Sequence, residues 1–456
     1  MRGIIQKLVL LLICISSYET FAQSNKDFRY YDTLSSKYYS NQAWDSLIYV
    51  YNDAVSNQYD WYYLQMRIGI AFYEKKNFPE ATFYFKKAYK HNPDDVTTQE
   101  YLYYSLLFSG REDDARAFLH QIDHDLIQKI NPIKNPTISG VYIEGGIAFS
   151  NNIPKIDLDN SKHTEMPEYS ESDLNKNMTY FHFGLTHKIG KRITVYQAYS
   201  IVGIDKQKTI RITPPKDSLK PPIDIINNYT ISQKQYYIQL GWTQFNKFTI
   251  KPAFQLMYNN FSTIFLDSVS QNIKHANLTI YEYLASIMAE KEIGRFTLGL
   301  NASWSNLDKG TQFQGGINLS HLFQNWHTLL STTRINLLFD KNTNPLITAS
   351  RLRAFISQKF SLPLSKHIYG GVTGTFGSLC HANEMNGLYV YNSTDAINYK
   401  LGLDATYFLN QHFYLSLHYN YINKSNSYLK EINNNTTINH FNYNNHFLIG
   451  AIQWKI

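Results

Sequence analysis

From Ser139 to Ile456 one pattern recurs: about ten alternating apolar and polar residues, a tight turn, a second alternating run, then a long polar loop. Alternation sends successive side chains to opposite faces of a strand, so its repetition with unequal connections predicts a transmembrane antiparallel β-barrel. The tight turns are its clearest part. They read Ile189-Gly190-Lys191-Arg192-Ile193, Phe245-Asn246-Lys247-Phe248, Ile293-Gly294-Arg295-Phe296, Phe323-Gln324-Asn325-Trp326-His327 and Leu409-Asn410-Gln411-His412-Phe413. Each holds a Gly or Asn able to take the positive φ of a short hairpin, between bulky residues suited to a membrane-interface belt. The other connections, such as Asn151 to Asn177 and Asp205 to Asn228, are polar and longer. The two ends of the barrel should therefore differ, with short turns in the periplasm and long loops outside.

Composition agrees with a chain that crosses a membrane by strands. Only 17% of the 456 residues are charged and 15% are aromatic, with 37 tyrosines and a formal net charge of +7. Soluble domains carry about 25% charged residues. Leu8 to Ile15 is the one continuous apolar run, far short of the roughly 20 residues of a membrane helix, and mean hydropathy is -0.36. Backbone groups in lipid must pair internally, which leaves a closed barrel.

Residues 1 to 22 read as a secretory signal peptide: Arg2 and Lys7, then the apolar run, then Thr20-Phe21-Ala22 as a small-x-small cleavage site before Gln23. Cys14 follows Ile13, where a lipid-attachment motif wants Gly or Ala. Without the signal, Cys380 is the sole cysteine, which excludes an intramolecular disulfide and places the thiol in expectation at the external rim.

Residues 24 to 130 have a helical period. Gln65, Ile68, Gly69, Phe72, Ala81, Phe85, Ala88 and Pro93 match the spacing of a tetratricopeptide repeat, with Gln65 in place of the leading Trp. Gly69, Ala81 and Ala88 let two antiparallel helices approach, Phe72 and Phe85 fill the gap, and Pro93 stops the second helix. The 34-residue period carries this to Leu34, Tyr38, Leu47, Tyr51 and Ala54 upstream and to Leu102, Leu106, Gly110, Ala115 and Leu119 downstream. About three repeats make a small solenoid, whose concave face would present Tyr63, Met66, Ile70, Tyr73, Glu100, Tyr104 and Leu107 to a partner. Those side chains could equally pack on the solenoid's own neighbours or on the barrel. A linker over 131 to 137, with Pro132 and Pro136, separates this domain from the barrel over 138 to 456. The fold class is thus α + β multidomain: a helical solenoid in the periplasm, then the barrel.

Alternation between turn signals places strands near 139 to 150, 177 to 190, 192 to 205, 229 to 245, 247 to 262, 276 to 293, 295 to 306, 310 to 323, 327 to 339, 346 to 360, 366 to 379, 393 to 409, 411 to 424 and 440 to 456. The count is about fourteen, even as expected, and a ring of that size is either open or plugged. Parity then sorts faces. Leu352, Ala354, Ile356 and Phe360 share one face and Arg351, Arg353 and Lys359 the other; Ile335, Leu337 and Phe339 leave Arg334 inside. Arginine at the bilayer midplane costs roughly 2 to 4 kcal/mol on the lipid face, so the arginines point inward. Hairpin register through 340 to 345 sets Arg334 almost opposite Arg351, giving a lumen cluster of Arg334, Arg351 and Arg353. Glu282, Glu290 and Glu292 face inward with Tyr281, Tyr283, Ile287 and Ile293 outward, and Asp404, Lys400 and Glu144 join the inner surface. Such charges either brace the barrel or a plug, or form a constriction selective for an anionic passenger.

Catalytic signatures are absent: the 15 histidines fall in no His-Glu-x-x-His motif, and no Gly-x-Ser-x-Gly elbow is present. His120 and His124, beside Asp123 and Asp125, sit at a polar helix end, and His412, Ser416 and His418 share a strand face by simple alternation. No catalytic residue, metal site or cofactor is expected. The dispersed Lys and Arg residues give no nucleic-acid footprint.

The repeat around Gly69, Ala81, Ala88 and Pro93, followed by a barrel, resembles the architecture of exopolysaccharide exporters, surface lipoprotein assembly modifiers and the YaiO-like outer-membrane proteins. The resemblance implies an outer-membrane protein whose periplasmic repeats recruit a partner or passenger for export or surface assembly, with outer-membrane lipid around the barrel. A barrel enzyme acting on envelope lipid or polysaccharide, or a structural adaptor without transport, would be written in similar terms.

Overall fold

The computed structural model describes residues 26–130, 132, 137–150, 169–213, 221–267, 272–323, 329–341, 351–393, 395–410, 412–432 and 435–456. The signal-peptide residues, the linker prolines except Pro132, the turn at 324–328 and most of the loop after Ser150 lie outside the described residues.

Seven helices form the first unit among the described residues: α1 (Phe28–Ser40), α2 (Trp44–Ser56), α3 (Tyr62–Glu74), α4 (Phe78–His91), α5 (Val96–Phe108), α6 (Glu112–Phe118) and α7 (His124–Ile130). Side-chain caps start three of them. Asp27 accepts from Tyr30 N at 2.8 Å, Asn77 from Glu80 N at 3.4 Å and Asp95 from Thr98 N at 2.6 Å, each satisfying an amide that has no partner inside its helix. Helices α1, α3 and α5 begin at residues 28, 62 and 96, and α2, α4 and α6 at 44, 78 and 112, so each pair starts 34 residues after the last. The turn inside each pair recurs too. Gln42, Lys76 and Gly110 all take positive φ, and Ala43 N, Asn77 N and Arg111 N donate to Tyr38 O, Phe72 O and Leu106 O, the six-to-one bond of a Schellman stop. Leu47, Ala54, Leu64, Ile68, Ala81, Phe85, Ala88, Leu102 and Leu106 are fully buried. Gly69 is required at the α3–α4 crossing: a Cβ there would lie 2.7 Å from the Phe85 ring. No helix among the described residues is long and apolar enough to cross a membrane, which says nothing about strands.

The second unit is a closed antiparallel barrel of fourteen strands. They are β1 (Ile138–Ser150), β2 (Tyr169–Ile189), β3 (Ile193–Ile212), β4 (Ile223–Gln244), β5 (Phe248–Leu266), β6 (Ile273–Ile293), β7 (Phe296–Ser305), β8 (Gln312–Phe323), β9 (Leu329–Asp340), β10 (Leu352–Pro363), β11 (Ile368–Gly377), β14 (Ala396–Phe408), β15 (Phe413–Ile432) and β16 (Asn435–Lys455). A small hairpin, β12 (Asn383–Glu384) and β13 (Tyr389–Val390), lies between β11 and β14. Closure runs through β1 and β16, from Gly140 opposite Lys455 to Ser150 opposite Asn445. Three of the tight turns use the expected left-handed residues, Gly190, Asn246 and Gly294. The turn after β14 is made differently: Asn410 Oδ1 accepts from His412 N and Phe413 N.

At the opposite end the strands run well past the expected limits. Residues 169–176 and 205–212 fall in the polar loops that the sequence pattern predicts, yet they pair as β2 and β3, and β4 continues the sheet from Ile223. Their side chains are largely polar, and Ser170, Ser172, Leu174 and Ile210 are buried. Cross-strand ion pairs replace apolar alternation: Lys208 to Glu171 at 2.7 Å, Lys206 to Asp173 at 3.1 Å and Arg211 to Asp224 at 2.6 Å. β1 stops at Ser150, and beyond it β15 pairs with the freed edge of β2, Leu429 opposite Glu171, so the β15–β16 hairpin bridges the mouth on that side.

Candidate functional site in the barrel lumen

Residues 378–393 and 395, in the connection from β11 to β14, turn into the lumen. Gly377 makes the turn at φ +113, where a Cβ would sit 2.3 Å from Ala354 O, so only glycine fits. Leu379 and Ala382 then pack against Leu338, Phe355, Ile397 and Ile422. The β12–β13 hairpin turns through Met385, Asn386 and Gly387, all at positive φ.

Hydrogen bonds fasten this loop to β1, β2, β4 to β10 and β14 to β16. Asn386 O accepts from Ser286 at 2.7 Å and from Tyr237 at 3.2 Å, and Leu388 O accepts from Gln255 at 3.4 Å. Gln314 exchanges two bonds with the Asn383 backbone, at 2.9 and 3.0 Å, while Asn383 Nδ2 donates to Ser303 at 2.7 Å. Tyr389 donates to Glu144, Asn392 to Glu282, and Lys400 to Glu384. Asp395 accepts from Asn175, Asn426 and Tyr443. Arg353 donates at 2.7 Å to Asp340 and at 2.8 Å to Cys380 O, and His381 Nδ1 lies 2.9 Å from the same Asp340 oxygen. Both members of the Arg353–Asp340 pair are almost fully buried, 3% and 2% exposed.

The three arginines do not form the cluster that parity suggested. Leu352 pairs with Phe339, which puts Arg334 opposite Ser357 rather than opposite Arg351. Pairing in β10 begins at Leu352 instead of near residue 346, so the register slides by several residues. Arg351 precedes the strand and is exposed, Arg353 is buried in the Asp340 pair, and Arg334 stands half-buried on the lumen wall. Glu282 is buried and accepts from Asn259 at 2.7 Å and from Asp308 N at 2.7 Å; Glu290 pairs with Lys251 at 2.5 Å; Glu292 is half-buried near the tight-turn end. Asp404 pairs with Lys359 at 2.9 Å.

Cys380 is also elsewhere than expected. It is 1% exposed within the lumen loop, where its thiol donates to Ser393 O at 3.3 Å, because the loop folds inward instead of standing at the rim. Ser416 bonds the Thr406 hydroxyl at 2.9 Å and His418 faces Asp404 across the ladder, while His412 lies outside β15 with its ring on Lys455 O. These groups do not meet as a triad. No group of three metal-ligating side chains occurs among the described residues.

Beside the loop the lumen keeps a cavity of 360 Å³, lined by β3 to β10 and by the hairpin tip. Its charged lining residues are Lys251, Glu290, Arg334 and Glu384.

In the helical unit, the residues assigned to a concave face separate. Tyr63 is 65% exposed. Ile70, Glu100, Tyr104 and Leu107 are half-buried. Met66 is buried between helices, with Thr98 Oγ1 3.1 Å from its sulfur, and Tyr73 packs on Phe78 and Tyr101 at ring distances of 5.3 and 5.2 Å. Met66 and Tyr73 thus belong to the packing between helices rather than to an open face.

By alternation and turn signals alone, residues 380–392 look like an ordinary external connection. One signal was available: Asn386-Gly387 between Asn383-Glu384 and Tyr389-Val390 is a short hairpin signature inside a loop.

Fold and lumen together define a closed barrel filled by one of its own loops. No family model and no curated protein sequence matches the chain. Among solved structures, a Pseudomonas aeruginosa FadL homologue is similar over 77% of this chain and 94% of that one, at 9% identity and a TM-score of 0.41. The β domain of the Bordetella autotransporter BrkA gives 70%, 100%, 9% and 0.28, and the translocator domain of the autotransporter NalP from Neisseria meningitidis gives 73%, 93%, 11% and 0.30. Likenesses this distant carry no function across.

Proposed function

We propose that the protein is an outer-membrane barrel, shut by its own lumen loop, whose N-terminal helices are periplasmic tetratricopeptide repeats that recruit a partner or passenger for export or surface assembly. The observation that carries this is a closed strand ring with an apolar outside and a polar, loop-filled inside. Ile147, Phe181, Leu300, Leu337, Leu403 and Ile452 stand about half exposed around the ring, an apolar belt that water would not tolerate and lipid would cover. Both barrel termini share an end with the tight turns, the periplasmic end in barrels of this kind. The 34-residue recurrence of helix starts and of the stop at Gln42, Lys76 and Gly110 supports the repeats.

Tyr63, with Ile70, Tyr104 and Leu107 beside it on the first helices of two repeats, is the surface offered to the partner. The test is to delete residues 26–130 in the producing cell and compare surface-labelled proteins, checking by heat modifiability that the barrel still folds. Loss of particular species from the surface is expected. An unchanged surface inventory with a folded barrel overturns the recruitment reading.

A further inference from the structure

The helical unit carries an exposed ring that its own repeat does not require. Phe108, the last residue of α5, is 50% exposed. The 34-residue period sets it level with Ser40 of α1 and Glu74 of α3, both polar and exposed, so repeat packing makes no demand for an aromatic there. The ring is nonetheless firmly seated. Tyr104 stacks on it at 5.8 Å and 18°, and Phe78 and Tyr73 pack on it at 5.1 and 6.3 Å. Tyr73 is fixed in turn, edge-on to Phe78 at 77° and to Tyr101 at 88°. Phe108 and the half-buried Tyr104 therefore offer a braced aromatic surface, and Ile70 and Leu107 lie on the same two helices.

The charge around these rings is negative. Glu74 is exposed and makes no hydrogen bond or ion pair with a described residue. Glu100 accepts from Lys129 of α7 at 2.7 Å, through a lysine side chain that is 66% exposed, while Lys75 beside Glu74 is held by Asp45. Burial, then Tyr101, Tyr104, Glu74 and Glu100, push up the pKa of the Tyr73 hydroxyl; burial, then Tyr39 and the same two carboxylates, push up that of Tyr101. Both acids thus act on the aromatic cluster. Ring faces are negative as well, so rings and carboxylates favour the same sign of guest.

We infer that this face takes a basic, part-apolar protein segment, a lysine or arginine resting over Phe108 and Tyr104 beside Glu74, with an apolar neighbour on Ile70 and Leu107. The inference rests on the recruitment reading above and adds the chemistry of the partner. An acidic segment would meet Glu74 and Glu100 with like charge, which complementary surfaces avoid. A segment with charge but no apolar side chain would leave Ile70 and Leu107 uncovered. Lys129 already makes one such contact from within the chain, on Glu100, and Glu74 is the acid left for a partner.

Fluorescence anisotropy of the full chain in an uncharged detergent tests it with labelled peptides of one length, read against detergent alone. One alternates leucine with lysine, the second leucine with glutamate, the third serine with lysine. Saturable binding of the first is expected, weakened by added salt, with the other two much weaker. Phe108→Ser, the residue found at the matching position 40, should weaken it about two- to fivefold, the worth of an exposed cation–π contact. Glu74→Lys reverses the charge at an exposed site and should weaken it further, which keeps the test decisive if Phe108→Ser does not fold. Tyr49→Ser removes a 74% exposed ring of α2 and should change nothing. No binding of the leucine and lysine peptide, equal binding of the glutamate peptide, or unchanged binding by Phe108→Ser and Glu74→Lys overturns the inference. The deletion of residues 26–130 separates the two readings: an altered surface inventory without peptide binding overturns this partner chemistry alone, and peptide binding with an unaltered inventory supports it while overturning recruitment.

Discussion

Two single residues show how close packing and buried charge set the two units. A Cβ at Gly69 would lie 2.7 and 2.8 Å from carbons of the Phe85 ring, and that ring is fully buried, so it has no room to swing away. Gly69→Ala should therefore cost about 1 to 3 kcal/mol of helical-unit stability despite the better helix propensity of alanine, read as a lower midpoint of the helical circular-dichroism transition. A rise in that midpoint would mean that the helices separate freely. In the barrel, Arg353 neutralises Asp340 where neither meets water, and it also holds the loop carbonyl at Cys380. Arg353→Ala removes the guanidinium from the buried Asp340 carboxylate, which keeps His381 and the Gln312 amide among its neighbours, at a cost of about 3 to 5 kcal/mol. The heat-modifiability midpoint should drop well below that of Arg351→Ala, whose side chain is exposed.

At the level of elements, what could be read from the chain was what lipid and close packing enforce. The strands that cross the apolar belt alternate because one face meets lipid and the other the lumen, and Gly190, Asn246 and Gly294 mark their turns because a short hairpin needs positive φ. Beyond the belt that constraint lapses, so the polar tops of β2, β3 and β4 read as loop. The β9–β10 register failed for a related reason: nothing in the residues after Asp340 announces where pairing resumes. The helical stops were half legible. Gly110 advertises its left-handed turn, whereas Gln42 and Lys76 adopt the same conformation without any sequence mark. Helix starts are more explicit, and Asp95 at the start of α5 gives a pH prediction. Burial pushes its pKa up, but the Thr98 hydroxyl and amide and the Tyr62 hydroxyl hold the carboxylate and bring it below the ordinary value of 3.8. A carboxyl depressed on folding stabilises fully above its unfolded pKa, and that contribution fades as pH falls through the lower folded one. The helical transition midpoint should thus fall on acidification below about pH 4, and Asp95→Asn, which keeps the cap but cannot titrate, should flatten the slope. Equal slopes would assign the acid loss to other carboxylates.

For the whole molecule, the decisive fact is that one connection spends its hydrogen bonds inside the ring. Eight strands are filled by their own side chains and sixteen to eighteen hold a water channel, so fourteen leave a lumen that something must occupy or water will. Residues 378–393 and 395 occupy it, with donors and acceptors matched to nearly every strand of the wall. The ring itself does not depend on them: β11 and β14 pair directly from Ile368 opposite Tyr407 to Phe376 opposite Tyr399, below the point where the loop departs. Replacing residues 379–392 by a short glycine-serine bridge should therefore leave a folded barrel with an open lumen. In planar bilayers the full chain is expected to give no steady conductance and the shortened chain discrete, ohmic channels. In the full chain the buried Cys380 thiol should also resist a membrane-impermeant maleimide until the protein is heated. Equal conductance from the two chains, or rapid labelling of Cys380 in the unheated protein, would show that the loop does not close the lumen in the membrane.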